Sequence, residues 1–369
     1  VDKNLTTEIY HYWLGNISKI SSAKIDGLLS VFSTVKEIFE CSRNELIHKT
    51  DLKEAEIDHL LASRNKDTIQ KSYEALQKKG IVYLSKLDSS YPEKLKNICQ
   101  APFGLYQKGI MPKQGQKALA IVGARECTLY GREIAKYLAG AVAREGIDVI
   151  SGLARGIDSY AHLGALHVGG NTIAILGCGI DICYPKENFN LFIEIQHKGC
   201  ILSEFSPGTP PLASNFPMRN RMISGLSDGI VVIEAKEKSG SLITVDIGLE
   251  QGKEIYAVPG RMTDLTSSGC NNLIKMGAKL VATPQDILED FVVNYRMPAR
   301  DIPLLKSEEK SVYNTLSLDP KHITIIAQET NLPLSMLTEV LLNMEMNHWI
   351  HQTIKNYYVL GSHIDKKHL

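Results

Sequence analysis

No CxxC pair occurs in this chain, and its seven cysteines (Cys41, Cys99, Cys127, Cys178, Cys183, Cys200 and Cys270) are odd in number. That pattern argues against a disulfide framework and against a zinc knuckle. Several lie in apolar runs, such as Cys178 in AILGCGIDICYP, and read as reduced, buried thiols. No run of about 18 apolar residues is present, so no membrane contact is expected. Val1 to Tyr10 is polar and mixed, without a secretory pattern, and a cytoplasmic location is expected. An excess of one charge is lacking as well, since 41 Lys and Arg face 41 Asp and Glu. Residues 1–117 hold 18 basic against 14 acidic side chains, 118–295 hold 15 against 19, and 301–369 hold 6 against 8. Bulk charge therefore gives no support for polyanion binding, and any such site must be local.

The fingerprints of nucleotide cofactors are missing too. Gly123-Ala-Arg-Glu-Cys-Thr128 is not GxGxxG, Ser151-Gly-Leu-Ala-Arg-Gly156 has the wrong first residue and spacing, and there is no Walker A lysine. No cofactor is expected. No His/Glu or Cys/His spacing suggests a metal. Asp158, Glu204 and Glu234 are acids near strand ends, but Asp158 at a helix start reads as a cap. His162 and His167 read as helix-face residues. No nucleophile–base pair can be assembled, so no catalytic residue is assigned and the chain is not expected to be an enzyme.

What is present organises into three parts. At 369 residues, 44% of them hydrophobic, the chain exceeds one ordinary domain and can pack a core. Residues 1–80 read as a helical domain, with apolar spacing at Ile57, Leu60, Leu61 and at Ile69, Tyr73, Leu76. Residues 81–117 read as a connector, with a short strand at Ile81–Leu84 and turns at Ser90-Tyr-Pro92 and Ala101-Pro102. From 118 to 295 the pattern alternates strand and helix, predicting an α/β, Rossmann-like, doubly wound and mostly parallel sheet. Its strands are expected at Leu119–Val122, Asp148–Ile150, Thr172–Leu176, Ile201–Ser203, Gly229–Ile233 and Glu254–Val258. Helices are expected at Gly131–Arg144, Ile157–Val168, Phe189–Lys198, Arg219–Leu226, Ile243–Glu250 and Asn272–Met276. A linker at 296–306 precedes 307–369, where a helix-turn-helix pattern and a hairpin across Lys355-Asn356 outline a winged helix.

In such a sheet ligands bind outside the carboxyl ends of the strands. Those ends here carry Gly123 and Arg125, then Ser151 and Gly152, then Lys186 after Tyr184-Pro185. They continue with Phe216, Arg219, Asn220 and Arg221, and with Lys238, Ser239, Gly240 and Ser241. Glycine permits close backbone approach, helix starts attract phosphate, and the basic residues supply counter-charge. Phe216 beside basic residues suits single-stranded nucleic acid, where a ring stacks a base while a guanidinium holds phosphate. It could equally be core.

The motifs Ile121-Val-Gly-Ala-Arg125, Ser151-Gly-Leu-Ala-Arg-Gly-Ile-Asp158, Leu202-Ser-Glu-Phe205, Phe216-Pro-Met-Arg-Asn-Arg221, Lys238-Ser-Gly-Ser-Leu-Ile-Thr244 and Val258-Pro-Gly260 together resemble the DNA-processing protein A (DprA/Smf) family. The resemblance implies a protein of natural transformation and recombination that binds single-stranded DNA, loads the recombinase RecA and forms homodimers. It implies DNA contacts by Arg125, Lys186, Arg219 to Arg221 and Ser239 to Ser241. It implies a dimer and RecA surface near Leu249, Ile274 and Lys275. The chain departs from some relatives at Ala213 and Asn171, where those carry lysine, and Ile17 to Lys24 lacks the helix-hairpin-helix glycine pair of many relatives. The competing expectation is a nucleoside-monophosphate phosphoribohydrolase on a related Rossmann fold. Its PGGxGTxxE motif is not matched by Lys238-Ser-Gly-Ser-Leu-Ile-Thr-Val-Asp246.

Overall fold

Ala118–Gly123 reads ALAIVG, an apolar run without alternation, which predicts a strand covered on both faces. The computed structural model, which describes residues 5–292, 305–317, 319–347 and 349–361, places it in the interior of a nine-stranded sheet. The strands are β1 (Val82–Ser85), β2 (Gly104–Gly109), β3 (Ala118–Gly123), β4 (Asp148–Ser151), β5 (Thr172–Ile175), β6 (Cys200–Ser203), β7 (Gly229–Ile233), β8 (Glu254–Ala257) and β9 (Lys279–Leu280). Their order is β1-β2-β6-β5-β4-β3-β7-β8-β9. From β6 to β9 every pairing is parallel, whereas β1 and β2 join antiparallel at one edge. The expected doubly wound α/β core is present. The 81–117 segment does more than connect, because two of its stretches extend the sheet.

The helices follow in chain order. Six of them, α1 to α6 (Thr7–Gly15, Ser22–Val31, Val35–Glu40, Arg43–Lys49, Glu54–Ala62 and Lys66–Lys78), form the N-terminal unit around Trp13, Leu14, Ile38, Leu46 and Leu60. Next come α7 (Glu93–Lys96), α8 (Leu129–Arg144), α9 (Ile157–His167), α10 (Phe189–Lys198), α11 (Asn215–Leu226), α12 (Gly240–Glu250), α13 (Ser268–Lys275) and α14 (Gln285–Phe291). Side chains alternate across a strand, and β3 sorts the layers accordingly. Leu119 and Ile121 pack with Ala135, Leu138 and Ala161 of α8 and α9. Ala118, Ala120 and Val122 pack with Met222 and Ile223 of α11 and Val245 of α12. The strand order reverses between β3 and β7, so the carboxyl ends of these two strands mark the topological switch point.

The N-terminal helices dock on β1 and β2 through aromatic edges. Tyr12 meets Tyr83 at 5.2 Å and 87°, Tyr83 meets Tyr106 at 5.2 Å and 68°, and Tyr106 donates to Asn16 Oδ1 at 2.5 Å. Beside them His11 Nδ1 lies 2.8 Å from Ser85 Oγ and 3.1 Å from Asp88 Oδ1. These three residue types suggest a hydrolytic triad, but serine and aspartate both address the same ring nitrogen. A proton relay needs them on opposite nitrogens, so the group is a latch between α1 and β1.

The C-terminal unit runs α15 (Ser307–Thr315), β10 (Lys321–His322), α16 (Ile323–Thr330), α17 (Leu334–Met346), β11 (Ile350–Ile354) and β12 (Tyr357–Leu360), with a small sheet ordered β10-β12-β11. Val312, Ile326, Leu337, Leu341 and Ile350 form its core. The expected linker 296–306 lies outside the described residues except for its last two positions. Among the described residues no helix is long and apolar enough to cross a membrane.

One buried group gives the core a pH dependence. His162 of α9 is fully buried, with Nδ1 2.6 Å from Thr172 Oγ1, whose hydroxyl donates to the Val149 carbonyl at 2.8 Å. The threonine proton is thereby committed, so Nδ1–H is the donor to Thr172. Burial, aided by the charge of Arg219, pushes the imidazole down to about 3. The unfolded chain takes up this proton near pH 6.5 and the folded one does not, so acidification below 6.5 destabilises the fold. Burial raises Asp148 to about 6, and that group acts in the opposite direction below pH 6. Comparing wild type with His162→Asn isolates the histidine. Their difference in unfolding free energy is expected to fall by about 1.4 kcal/mol per pH unit below 6.5. Urea unfolding at pH 7.5 and 5.5 measures it, and a pH-independent difference would mean that the folded protein protonates His162.

Candidate nucleic-acid interface

The β3 end is clamped from both sides. A Cβ on Gly123 would overlap the Ile233 carbonyl at the end of β7. The Ala124 N–H donates to the Glu234 carbonyl at 2.7 Å, and the Ala124 carbonyl accepts from Ile157 N–H at 3.2 Å. Gly156, at φ 75°, leaves no room for a side chain under Ala124 and Arg125. The loop so held carries Arg125 outward into solvent.

Phe216, in the first turn of α11, lies over Gly177 just past β5, where an added Cβ would sit 2.8 Å from the ring. The Arg125 guanidinium is 5.7 Å from the Phe216 centroid. Tyr184, 43% exposed, tilts against the same ring at 5.6 Å and 35°. Arg125, Phe216 and Tyr184 thus form one partly exposed aromatic and cationic surface. Tyr184 was not singled out from the sequence. The available signal was its place before Pro185 in a strand-end loop, two residues from Lys186, which is itself exposed.

Several expected contact residues are turned inward. Arg219 is only 4% exposed, and its guanidinium donates to the carbonyls of Gly152 (2.8 Å) and Ile175, while Nε donates to Asn220 Oδ1 at 3.2 Å. Burial pushes this guanidinium down to about 10, with Asp158 pulling it back up. Burial likewise raises the Asp158 carboxyl, against the pull of Arg219. Asp158 does not cap α9. Its Oδ2 accepts from the N–H groups of Gly152 (3.1 Å) and Ala154 (3.4 Å). Gly152 is therefore held by its N–H on Asp158 and its carbonyl on Arg219, and a Cβ there would lie 2.5 Å from the guanidinium. Asn220 is buried beside Arg219, and Ser151 Oγ donates to the Ile121 carbonyl at 2.6 Å. Ser151, Gly152, Arg219 and Asn220 shape the loop from beneath, with backbone carbonyls and a buried carboxyl as their partners.

Arg221 is displaced for a geometric reason. Residues two apart on a helix point about 200° apart, so Arg221 faces away from Arg219. It pairs with Glu204 and lines a separate cavity of about 660 Å³ with Lys94, Met218 and Gln251. Lys238 and Gly240 are exposed, and Ser239 caps α12 with its Oγ 2.8 Å from Ser241 Oγ. Leu249 on α12 is 55% exposed, Lys275 on α13 is exposed, and Ile274 is half-buried against the core. Glu234 is buried at the switch point, and Asp246 is exposed on α12.

A family model described as DNA recombination-mediator protein A matches residues 82–292, from β1 to the end of α14. The chain belongs to that family. Among curated DprA/Smf proteins, DprA of Streptococcus pneumoniae is 44% identical over 205 residues, which covers 56% of this chain and 72% of the relative. Protein Smf of Escherichia coli is 35% identical over 270 residues, covering 70% and 72%. The solved DprA of S. pneumoniae aligns at a TM-score of 0.60 with 33% identity, over 80% of this chain and all of the other. DprA of Helicobacter pylori, solved for its single-stranded DNA binding mode, aligns at 0.52 with 28% identity, over 58% and 97%. The DprA/Smf match begins at β1, so the family's shared unit includes the two antiparallel edge strands.

Proposed function

We propose that this chain binds single-stranded DNA without sequence specificity along the carboxyl edge of its sheet. The observation that carries this reading is the exposed Arg125 guanidinium beside the Phe216–Tyr184 pair. Arg125 holds phosphate, the ring faces take bases, and Lys186 and Lys238 extend the phosphate track with the Ser239–Ser241 turn. Phosphate contacts carry no base identity, hence the lack of specificity. A duplex keeps its bases stacked internally and offers nothing to the rings. Fluorescence anisotropy of a labelled oligo-dT, with duplex as competitor across a salt series, tests this. Preference for the single strand with strong salt dependence is expected. Equal affinity for duplex, or a salt-independent affinity, rejects it.

Gly177→Ala probes the aromatic half, since its Cβ would sit 2.8 Å from Phe216 and must tilt the ring. Binding to oligo-dT is expected to weaken by up to about tenfold with an unchanged salt slope, as part of a stacking contribution of roughly 1–3 kcal/mol per base.

The family resemblance supports a role in recombination in which a homodimer, built near Leu249, Ile274 and Lys275, loads RecA. Filament assembly on DNA coated with single-strand-binding protein is the assay for it. The order of elements from α15 to β12 supports a winged helix. Its α17 carries Glu339 and Glu345 and no Lys or Arg, which favours protein contact over duplex reading. Binding without catalysis fits the site best.

A further inference from the structure

Exposed cations mark the loops past β5, β3, β7 and β8: Lys186, Arg125, Lys238 and Arg261. Among the described residues no ion pair holds the first three. Arg155, past β4, pairs with Glu187 of the same edge at 2.6 Å. Arg261 is neutralised from elsewhere, because its Nη2 lies 2.5 Å from Oδ2 of Asp319 in the C-terminal unit. β8 lies two strands from β3, so its end is offset from the Arg125 loop by roughly 10 Å across the sheet. Asp319 is presented by a fastened loop. Its N–H donates to Ser317 Oγ at 3.1 Å, the Ser317 carbonyl accepts from Leu360 N–H of β12 at 2.9 Å, and Leu316 is buried in the C-terminal core. The contact itself is open. A cavity of about 720 Å³ adjoins it, walled by Tyr130, Gly260 and Arg261 on one side and by Ser317, Asp319 and Pro320 on the other. Both side chains of the pair are 67% exposed, and a pair so exposed holds weakly and is screened by salt.

We propose that the C-terminal unit is a weak lid on the β8 end of the carboxyl edge, with the Asp319 carboxylate standing where a DNA phosphate would meet Arg261. This rests on the proposed function, since it is the bound strand that competes with the lid. Closed, the edge offers Arg125, Lys186 and Lys238. Open, Arg261 joins the phosphate track, because a guanidinium takes phosphate as readily as carboxylate. Strand and lid exclude each other at one side chain, so a strand that reaches β8 displaces the C-terminal unit. A tightly packed interface could not be displaced in this way, whereas a rim contact through one screened ion pair can.

Anisotropy of labelled oligo-dT on the full chain compares wild type, Asp319→Ala, Arg261→Ala and the double variant. Both positions are exposed, so the variants keep the fold. A pair of this strength keeps the closed form at roughly half to four-fifths, so Asp319→Ala is expected to bind roughly twofold to fivefold tighter. Its salt slope is expected to steepen by up to about 0.7, the mark of one more phosphate contact. With Arg261→Ala already in place, Asp319→Ala is expected to change nothing, because the contested guanidinium is gone. No gain from Asp319→Ala overturns the lid. An equal gain in both backgrounds overturns it too, since loss of a negative charge then accounts for the effect without Arg261. Small-angle scattering of Asp319→Arg, where two guanidinium groups would face each other, reads docking without DNA. A larger radius of gyration than wild type is expected, and an unchanged radius overturns the docking whatever the DNA does. Absence of oligo-dT binding in both wild type and Asp319→Ala would reject the proposed function, and the competition with it, while the scattering still decides the docking.

Discussion

Arg125→Ala is expected to weaken binding to oligo-dT by roughly tenfold to a hundredfold at physiological salt. A hydrogen bond to a charged group contributes about 1.5–3 kcal/mol, and about 1.4 kcal/mol is tenfold in affinity. The guanidinium is exposed beside the Phe216 face, and among the described residues no hydrogen bond or ion pair holds it. Little stability is therefore lost with it, since exposed substitutions stay within about 0.5 kcal/mol. The salt slope should also fall, by about 0.7 for one phosphate contact on a single strand. Phe216→Ala is the complement. It should weaken binding by a comparable factor while leaving the slope unchanged, because a stacking ring releases no counterion. If Arg125→Ala changes the melting temperature more than the affinity, Arg125 is a structural residue and the proposed surface fails.

Arg219→Ala is expected to act in the opposite way, through stability. It removes the donors of the Gly152 and Ile175 carbonyls and leaves the buried Asp158 carboxyl without its neighbouring cation. Breaking a buried charged network by deleting one partner costs about 3–5 kcal/mol. That is a large share of the 5–15 kcal/mol typical of a folded domain. Arg219→Lys should recover little, since an ammonium cannot reach two carbonyls and a side-chain amide from one planar fork. Urea unfolding of the variants measures the loss. A direct phosphate contact predicts the reverse pattern, with stability unchanged and the salt slope reduced.

Those two arginines show where the sequence is readable. Strong local patterns are enough for elements such as Phe189–Lys198 and Gly229–Ile233, whose observed limits match the pattern residue for residue. Expectation slips where a residue's local meaning is ambiguous. Pro217 suggests that the helix begins at Arg219, yet proline is tolerated in a first turn, and α11 starts at Asn215. β9 is two residues long and carries no pattern to read. β1 is legible as the short strand expected at Ile81–Leu84, whereas β2 looks like connector because an antiparallel edge strand needs no crossover helix to announce it. In the site, a strand-end arginine reads as a ligand contact whether it faces solvent or the loop beneath it. Arg125 and Arg219 differ only in tertiary partners. Arg221 parts from Arg219 for a simpler reason that periodicity does contain: two positions along a helix is nearly the opposite face.

The edges of the sheet carry a final consequence. A strand with free N–H and C=O groups along one side is a template on which a foreign strand can zip. One rim here is β1, four residues long and packed against α1 and α6. The other is β9, whose Lys279 is drawn into ion pairs with Glu289 and Asp290. Neither rim offers a length of unpaired backbone. Edge-to-edge zipping of this nine-stranded sheet with a foreign strand is therefore blunted at both rims, and association across it falls to side chains, where a single substitution can disrupt it.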